Sequence, residues 1–158
     1  MIYQNTFASE SLPSRPISPP TGKIEENSSS SLRGKRIAIV EDEGITQLQL
    51  SRIVRAEGLE VVGTASDGNR AVELVLSKRP DLVLMDIQMP VMDGLEASEL
   101  ILAQWRVCIV MLTAFSEEEL ITRAKEIGTC GYVLKPVTVE TLMPQLQAAF
   151  QLFQHIPQ

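Results

Sequence analysis

The chain is 158 residues long, carries a formal charge of −6 and is 44% hydrophobic. That length suits one ordinary domain with a terminal extension, and the apolar share suffices for a core. The acidic balance argues against direct nucleic-acid binding, and the longest apolar run, Val107 to Leu112, is far too short to cross a bilayer.

The opening MIYQNTFASE lacks the basic start and apolar stretch of a secretory signal, so a cytoplasmic location is expected. Residues 1–34 hold Pro13, Pro16, Pro19, Pro20 and the run Ser28 to Ser31, with few large apolar side chains. Burial there cannot offset the entropy of ordering, which predicts a disordered N-terminal tail over 1–34 and a folded domain over 35–154. Short apolar runs follow at Ile37–Val40, Leu59–Thr64, Leu82–Met85, Val107–Leu112 and Tyr132–Leu134. They are continuous rather than alternating, as in strands covered on both faces.

Amphipathic stretches separate these runs. The first predicted helix spans 45–57 with Leu50, Ile53 and Val54 on one face and Gly58 as its stop. The second spans 68–78, with Pro80 after it. The third opens at Asp93-Gly94 and turns Leu95, Leu102 and Trp105 inward. Ser116 and Glu119 have the spacing of a capping box for the fourth, which Gly128 ends. The fifth spans 139–153 with Leu142, Leu146, Phe150 and Phe153 inward, and Pro144 inside it threatens a kink. Cys108 and Cys130 have neither CxxC spacing nor histidine neighbours, so they read as buried apolar thiols in a reducing setting.

Strict alternation of five strands with five helices predicts an α/β fold, a parallel sheet with helices on both faces. Such folds bind and react at the carboxyl ends of their strands. Here the first strand ends in Glu41-Asp42-Glu43, the third in Asp86, the fourth in Thr113 and the fifth in Lys135-Pro136. Carboxylates about 4 Å apart repel by roughly 4 kcal/mol at an effective dielectric of 20. Lys135 offsets one charge, and the remainder calls for a hard divalent cation such as Mg²⁺. A carboxylate so placed can act as a nucleophile toward phosphorus. Asp86, ending the central strand, is the best candidate. Glu41 and Asp42 suit metal binding, while Thr113 and Lys135 suit the phosphoryl oxygens.

The segments Ile39-Val40-Glu41-Asp42-Glu43, Leu84-Met85-Asp86-Ile87-Gln88-Met89-Pro90, Met92-Asp93-Gly94, Met111-Leu112-Thr113-Ala114 and Gly131-Tyr132-Val133-Leu134-Lys135-Pro136 resemble the response-regulator receiver family of two-component signalling. The resemblance covers about residues 35–153. It implies a flavodoxin-like, doubly wound five-stranded sheet in the order 2-1-3-4-5 with five helices. Asp86 then matches the phosphorylated aspartate, and Glu41 and Asp42 the acidic pair that holds Mg²⁺ together with Asp86. The Gln88 backbone carbonyl matches a further ligand. Thr113 and Lys135 match the phosphoryl-stabilising groups, Thr113 and Tyr132 the switch, and Lys135–Pro136 a bond that is usually cis.

The implied function is a phosphoacceptor, not an enzyme, taking its phosphoryl group from a histidine kinase or histidine phosphotransfer protein. Phosphorylation then alters a surface for an unidentified downstream protein. The alternative is a receiver-like binding module that acts without phosphorylation. An aspartate-dependent phosphatase would carry a second acid where Gln88 stands. Phe115, two residues beyond Thr113, is expected to shield an acyl phosphate from water. The chain ends soon after the fifth predicted helix, so a single-domain regulator or part of a longer product is expected.

Overall fold

Ten elements alternate without exception among the described residues, which are 32–114 and 117–156 of the computed structural model. In order they are β1 (Arg36–Val40), α1 (Gly44–Ala56), β2 (Glu60–Ala65), α2 (Gly68–Lys78) and β3 (Leu82–Asp86). There follow α3 (Gly94–Leu102), β4 (Cys108–Thr113), α4 (Glu118–Ile127), β5 (Gly131–Leu134) and α5 (Val139–His155). The strands form one sheet in the order β2-β1-β3-β4-β5, every neighbouring pair parallel. This is the flavodoxin-like architecture, and the strand order matches the expectation.

The side-chain period of two splits each inner strand between two apolar layers. Ile37, Ile39, Leu82, Leu84, Val110 and Leu112 face Leu50 and Val54 of α1 and Leu142, Leu146 and Phe150 of α5. Ala38, Val40, Val83, Met85, Ile109 and Met111 face Ala71 and Val75 of α2, Leu95 and Ile101 of α3, and Ala124 of α4. Double coverage explains why β3 and β4 are apolar along their lengths and buried at every position. No helix among the described residues is long and apolar enough to cross a membrane.

Several boundaries differ from the sequence reading. Leu32 is fully buried in the α1/α5 layer, and the Gly34 N–H donates to the Gly58 carbonyl at 2.8 Å. Residues 32–34 therefore belong to the fold, because one leucine with a pocket outweighs the polar composition around it. The rest of the expected tail lies outside the described residues. In α3 the deepest large side chains are Leu95 and Ile101, with Leu102 only half-buried. Trp105 lies beyond the helix, half-buried, with the Arg79 guanidinium 5.1 Å from its ring centroid.

Helix starts follow local chemistry. Asp67 and Asp93 accept from the N–H of Arg70 at 2.9 Å and Glu96 at 2.8 Å, opening α2 and α3. A capping box does occur, but at α5, between Thr138 and Thr141. At α4 the N-cap is Glu117, whose side chain makes no capping bond. Ser116 lies outside the described residues, as does Phe115 with its expected shielding role. Pro144 does not break α5, which runs on to His155 with the proline on its exposed side.

Candidate functional site

The carboxyl rim of the sheet is assembled by register. Val40 pairs with Met85, Asp86 with Leu112, and Thr113 with Leu134, so Glu41, Asp86, Thr113 and Lys135 leave neighbouring strands at one level. Ladder-like bonds extend past the strands: Glu41 N–H to the Ala65 carbonyl (3.0 Å), Ile87 N–H to Leu112 (3.0 Å) and Lys135 N–H to Thr113 (2.8 Å). The Lys135–Pro136 peptide is cis.

Lys135 Nζ sits between two acids, 2.9 Å from Glu41 Oε1 and 3.2 Å from Asp86 Oδ2. Carboxylate oxygens of Glu41, Asp42 and Asp86 lie within 4.8 Å of one another. Glu41 and Asp86 are almost wholly buried, whereas Asp42 is exposed. Backbone donors steady both buried carboxylates. The Glu43 N–H reaches Glu41 Oε2 at 3.1 Å, and the Gln88 N–H reaches Asp86 Oδ1 at 3.3 Å.

This crowding perturbs protonation. Burial, then the Glu41 charge, raises the Asp86 pKa from 3.8 to about 7 against the opposing pull of Lys135. Burial pushes Lys135 down, but its contacts with Glu41 and Asp86 outweigh that, and its pKa ends above the ordinary value.

The three acids suit a hard divalent cation. Glu41 Oε1 is a buried oxygen with an ammonium beside it yet no aligned hydrogen bond, so its lone pairs are incompletely satisfied. An oxygen-only donor set with excess negative charge fits Mg²⁺.

Thr113 is buried on the same rim. Tyr132 stands further back on β5, opposite Met111, half-buried against the α2/α3/α4 layer. Gln88 exposes its side chain and contributes backbone beside Asp86.

Two supports went unnoticed in the sequence. Gly94 must be glycine, because a Cβ there would overlap the Asp86 carbonyl oxygen directly beneath the acid. Gln47 Nε2 donates to the Glu41 carbonyl at 2.9 Å and the Ala65 carbonyl at 3.2 Å, tying α1 to the ends of β1 and β2. A signal for Gln47 existed: it lies three residues before Leu50 and seven before Val54, a polar residue on the buried stripe of α1.

A groove of about 420 Å³ adjoins the site, lined by Glu43, Thr46, Leu50, Ile53, Lys135 and Pro136 among others. The apolar side chains of Ile45 and Leu48 are exposed on α1 nearby.

Comparison with known proteins agrees with this geometry. The family model of the response regulator receiver domain matches residues 37–147. The transcriptional regulatory protein PdtaR of Mycobacterium tuberculosis is 41% identical over 122 residues, covering 77% of this chain and 60% of that protein. The chain thus spans about three fifths of PdtaR's length. The chemotaxis protein CheY of Treponema pallidum is 34% identical over 119 residues, 73% of this chain and 83% of that one. Among solved structures, the CheX–CheY–BeF₃–Mg²⁺ complex from Borrelia burgdorferi superposes with a TM-score of 0.72 at 27% identity, covering 75% of this chain and 90% of that one. With the family model spanning most of the folded body and the rim carrying the expected acids and lysine, this chain belongs to the response regulator receiver domain family.

Proposed function

We propose that this receiver accepts a phosphoryl group on Asp86 and thereby switches a partner-binding surface. The observation that carries the reading is Lys135 Nζ held 2.9 Å from Glu41 and 3.2 Å from Asp86, with Asp42 completing an acid triad. In the step, an Asp86 carboxylate oxygen attacks the phosphorus of a phosphohistidine on a kinase or phosphotransfer protein. The P–N bond breaks, its electron pair returns to the imidazole nitrogen, and that nitrogen takes a proton from solvent.

Glu41, Asp42, Asp86 and the Gln88 carbonyl would hold Mg²⁺, which when bound offsets the acid–acid repulsion and the charge of the phosphoryl oxygens. Lys135 neutralises a further phosphoryl oxygen, and the Thr113 hydroxyl donates to another. Movement of Thr113 biases Tyr132 and with it the surface of α4, β5 and α5. The groove beside Lys135, lined on α1 by Thr46, Leu50 and Ile53, gives the donor a docking face. The Mg²⁺-bearing complex of the similar Borrelia CheY supports the metal assignment.

The test is acetyl phosphate with Mg²⁺, read by intact mass. Wild type gains one phosphoryl group and Asp86→Asn gains none. A wild-type chain that stays unlabelled by acetyl phosphate and by every kinase tried would favour the phosphorylation-independent binding module instead.

A further inference from the structure

We infer that Gln47 is a positioning residue for the acid pair. Its side-chain amide bridges the ends of β1 and β2 and sets where Glu41 and Asp42 present their carboxylates, without touching the phosphoryl group. This rests on the phosphoacceptor reading above.

The argument begins with backbone accounting. Parallel pairing between β1 and β2 ends at Val40 and Ala65. One residue further, the Glu41 N–H still finds the Ala65 carbonyl, but the Glu41 carbonyl has passed the end of the ladder. A carbonyl on so deeply buried a residue needs a donor. Gln47 supplies it from α1, and the same nitrogen reaches the Ala65 carbonyl. The peptide between Glu41 and Asp42 is thereby pinned from the helix side.

That peptide is where the two acids diverge: Glu41 turns inward to Lys135, and Asp42 stays exposed at the rim. From the other side, Glu43 N–H returns to Glu41 Oε2 at 3.1 Å, and the Thr46 hydroxyl donates to Glu43 Oε1 at 2.9 Å. The Glu41–Glu43 turn is thus clamped between Gln47 and Thr46, both on the first turn of α1. Without Gln47, the Glu41 carbonyl would turn toward solvent and carry the Asp42 backbone with it. Groups that orient metal ligands typically change affinity by about 10–100-fold when removed.

The experiment uses the full chain, titrated with MgCl₂ by calorimetry and followed by amide hydrogen exchange without metal. Gln47→Met keeps length and loses both donors. It is expected to weaken Mg²⁺ binding about tenfold and to speed exchange of the Glu43 amide in metal-free protein. Gln47→Glu is the decisive companion, since it adds a negative charge that bare electrostatics says should tighten Mg²⁺. Positioning requires the opposite, because a carboxylate repels both carbonyls. Weaker binding in both variants, with Val54→Ala on the same helix destabilising the protein but leaving Mg²⁺ affinity within twofold, supports the inference. Unchanged affinity in Gln47→Met, or tighter binding in Gln47→Glu, overturns it while leaving the phosphoacceptor reading intact. A wild-type chain that binds no Mg²⁺ and takes no phosphoryl group overturns both.

Discussion

At the carboxyl ends of the strands, Glu41 and Asp86 are buried acids sharing one half-buried lysine. At the amino ends, Leu32, Cys108 and Cys130 close an apolar layer, and the cations there lie over aromatic rings, Lys35 over Phe150 and Arg106 over Phe153. The first rim holds like charges together at a cost to stability. The second contains no buried acid among the described residues. One sheet thus separates its tasks along the strand axis: the amino rim supplies stability that the carboxyl rim uses up in holding Glu41 and Asp86 side by side. If that division holds, substitutions at the two rims should move stability in opposite directions.

The largest effect belongs to the amino rim. Leu32→Ala removes a fully buried side chain from the α1/α5 layer and is expected to destabilise by about 2–5 kcal/mol. Urea denaturation measures the loss. Labelling of the folded fraction by acetyl phosphate should be unchanged, because Leu32 lies at the far end of β1 from Glu41. Altered labelling of the folded fraction would show that the rims are not independent.

At the carboxyl rim the sign reverses. Asp86→Asn removes a charge from the acid cluster and, with chelator present near pH 8, should stabilise on the order of 2 kcal/mol. The pH dependence follows from the raised pKa. The folded state holds the Asp86 proton more tightly than the unfolded chain, so the stability that this proton lends wild type is full below about pH 4 and is lost as pH rises through about 7. Wild type should therefore lose stability relative to Asp86→Asn across that window, and thermal melts at a series of pH values would read it. Parallel melting curves for the two proteins would remove the electrostatic cost from the rim.

How far the sequence exposed each rim differs for the same reason. The acids and Lys135 were legible because they terminate apolar runs, and a run that stops on a charge marks a strand end. The alternation of doubly covered strands with helices was legible from the continuous apolar runs, and the strand order only from the resemblance to the receiver family. Leu32 was hidden because it is one apolar residue among polar ones, and its pocket is built by residues far away in the chain. Helical spacing places Trp105 on α3, yet the helix ends at Leu102 and the ring finds Arg79 instead. The Ser116 spacing matched a capping box, but the N-cap of α4 falls on Glu117. Gln47 was visible as a polar interruption of an apolar stripe, and only the end of the β1–β2 ladder explains it.

The smallest effect tests how local the amino rim is. Arg106 Nη2 donates to the carbonyls of Phe153 (3.0 Å) and Ile156 (3.1 Å), closing the end of α5, while the guanidinium lies 4.1 Å from the Phe153 ring centroid. A cation over an aromatic ring at a helix C-terminus contributes about 1 kcal/mol, so Arg106→Ala should cost roughly that much. The loss should be confined to the last turn of α5, where amide hydrogen exchange should accelerate while α1 and β3 keep their protection. Mg²⁺ affinity should stay at the wild-type value, because nothing at the acid cluster rests on α5's final turn. Faster exchange spreading along α5 to Thr138 would instead show that helix carrying a disturbance from one rim to the other. The separation along the strands would then be a property of the sheet alone.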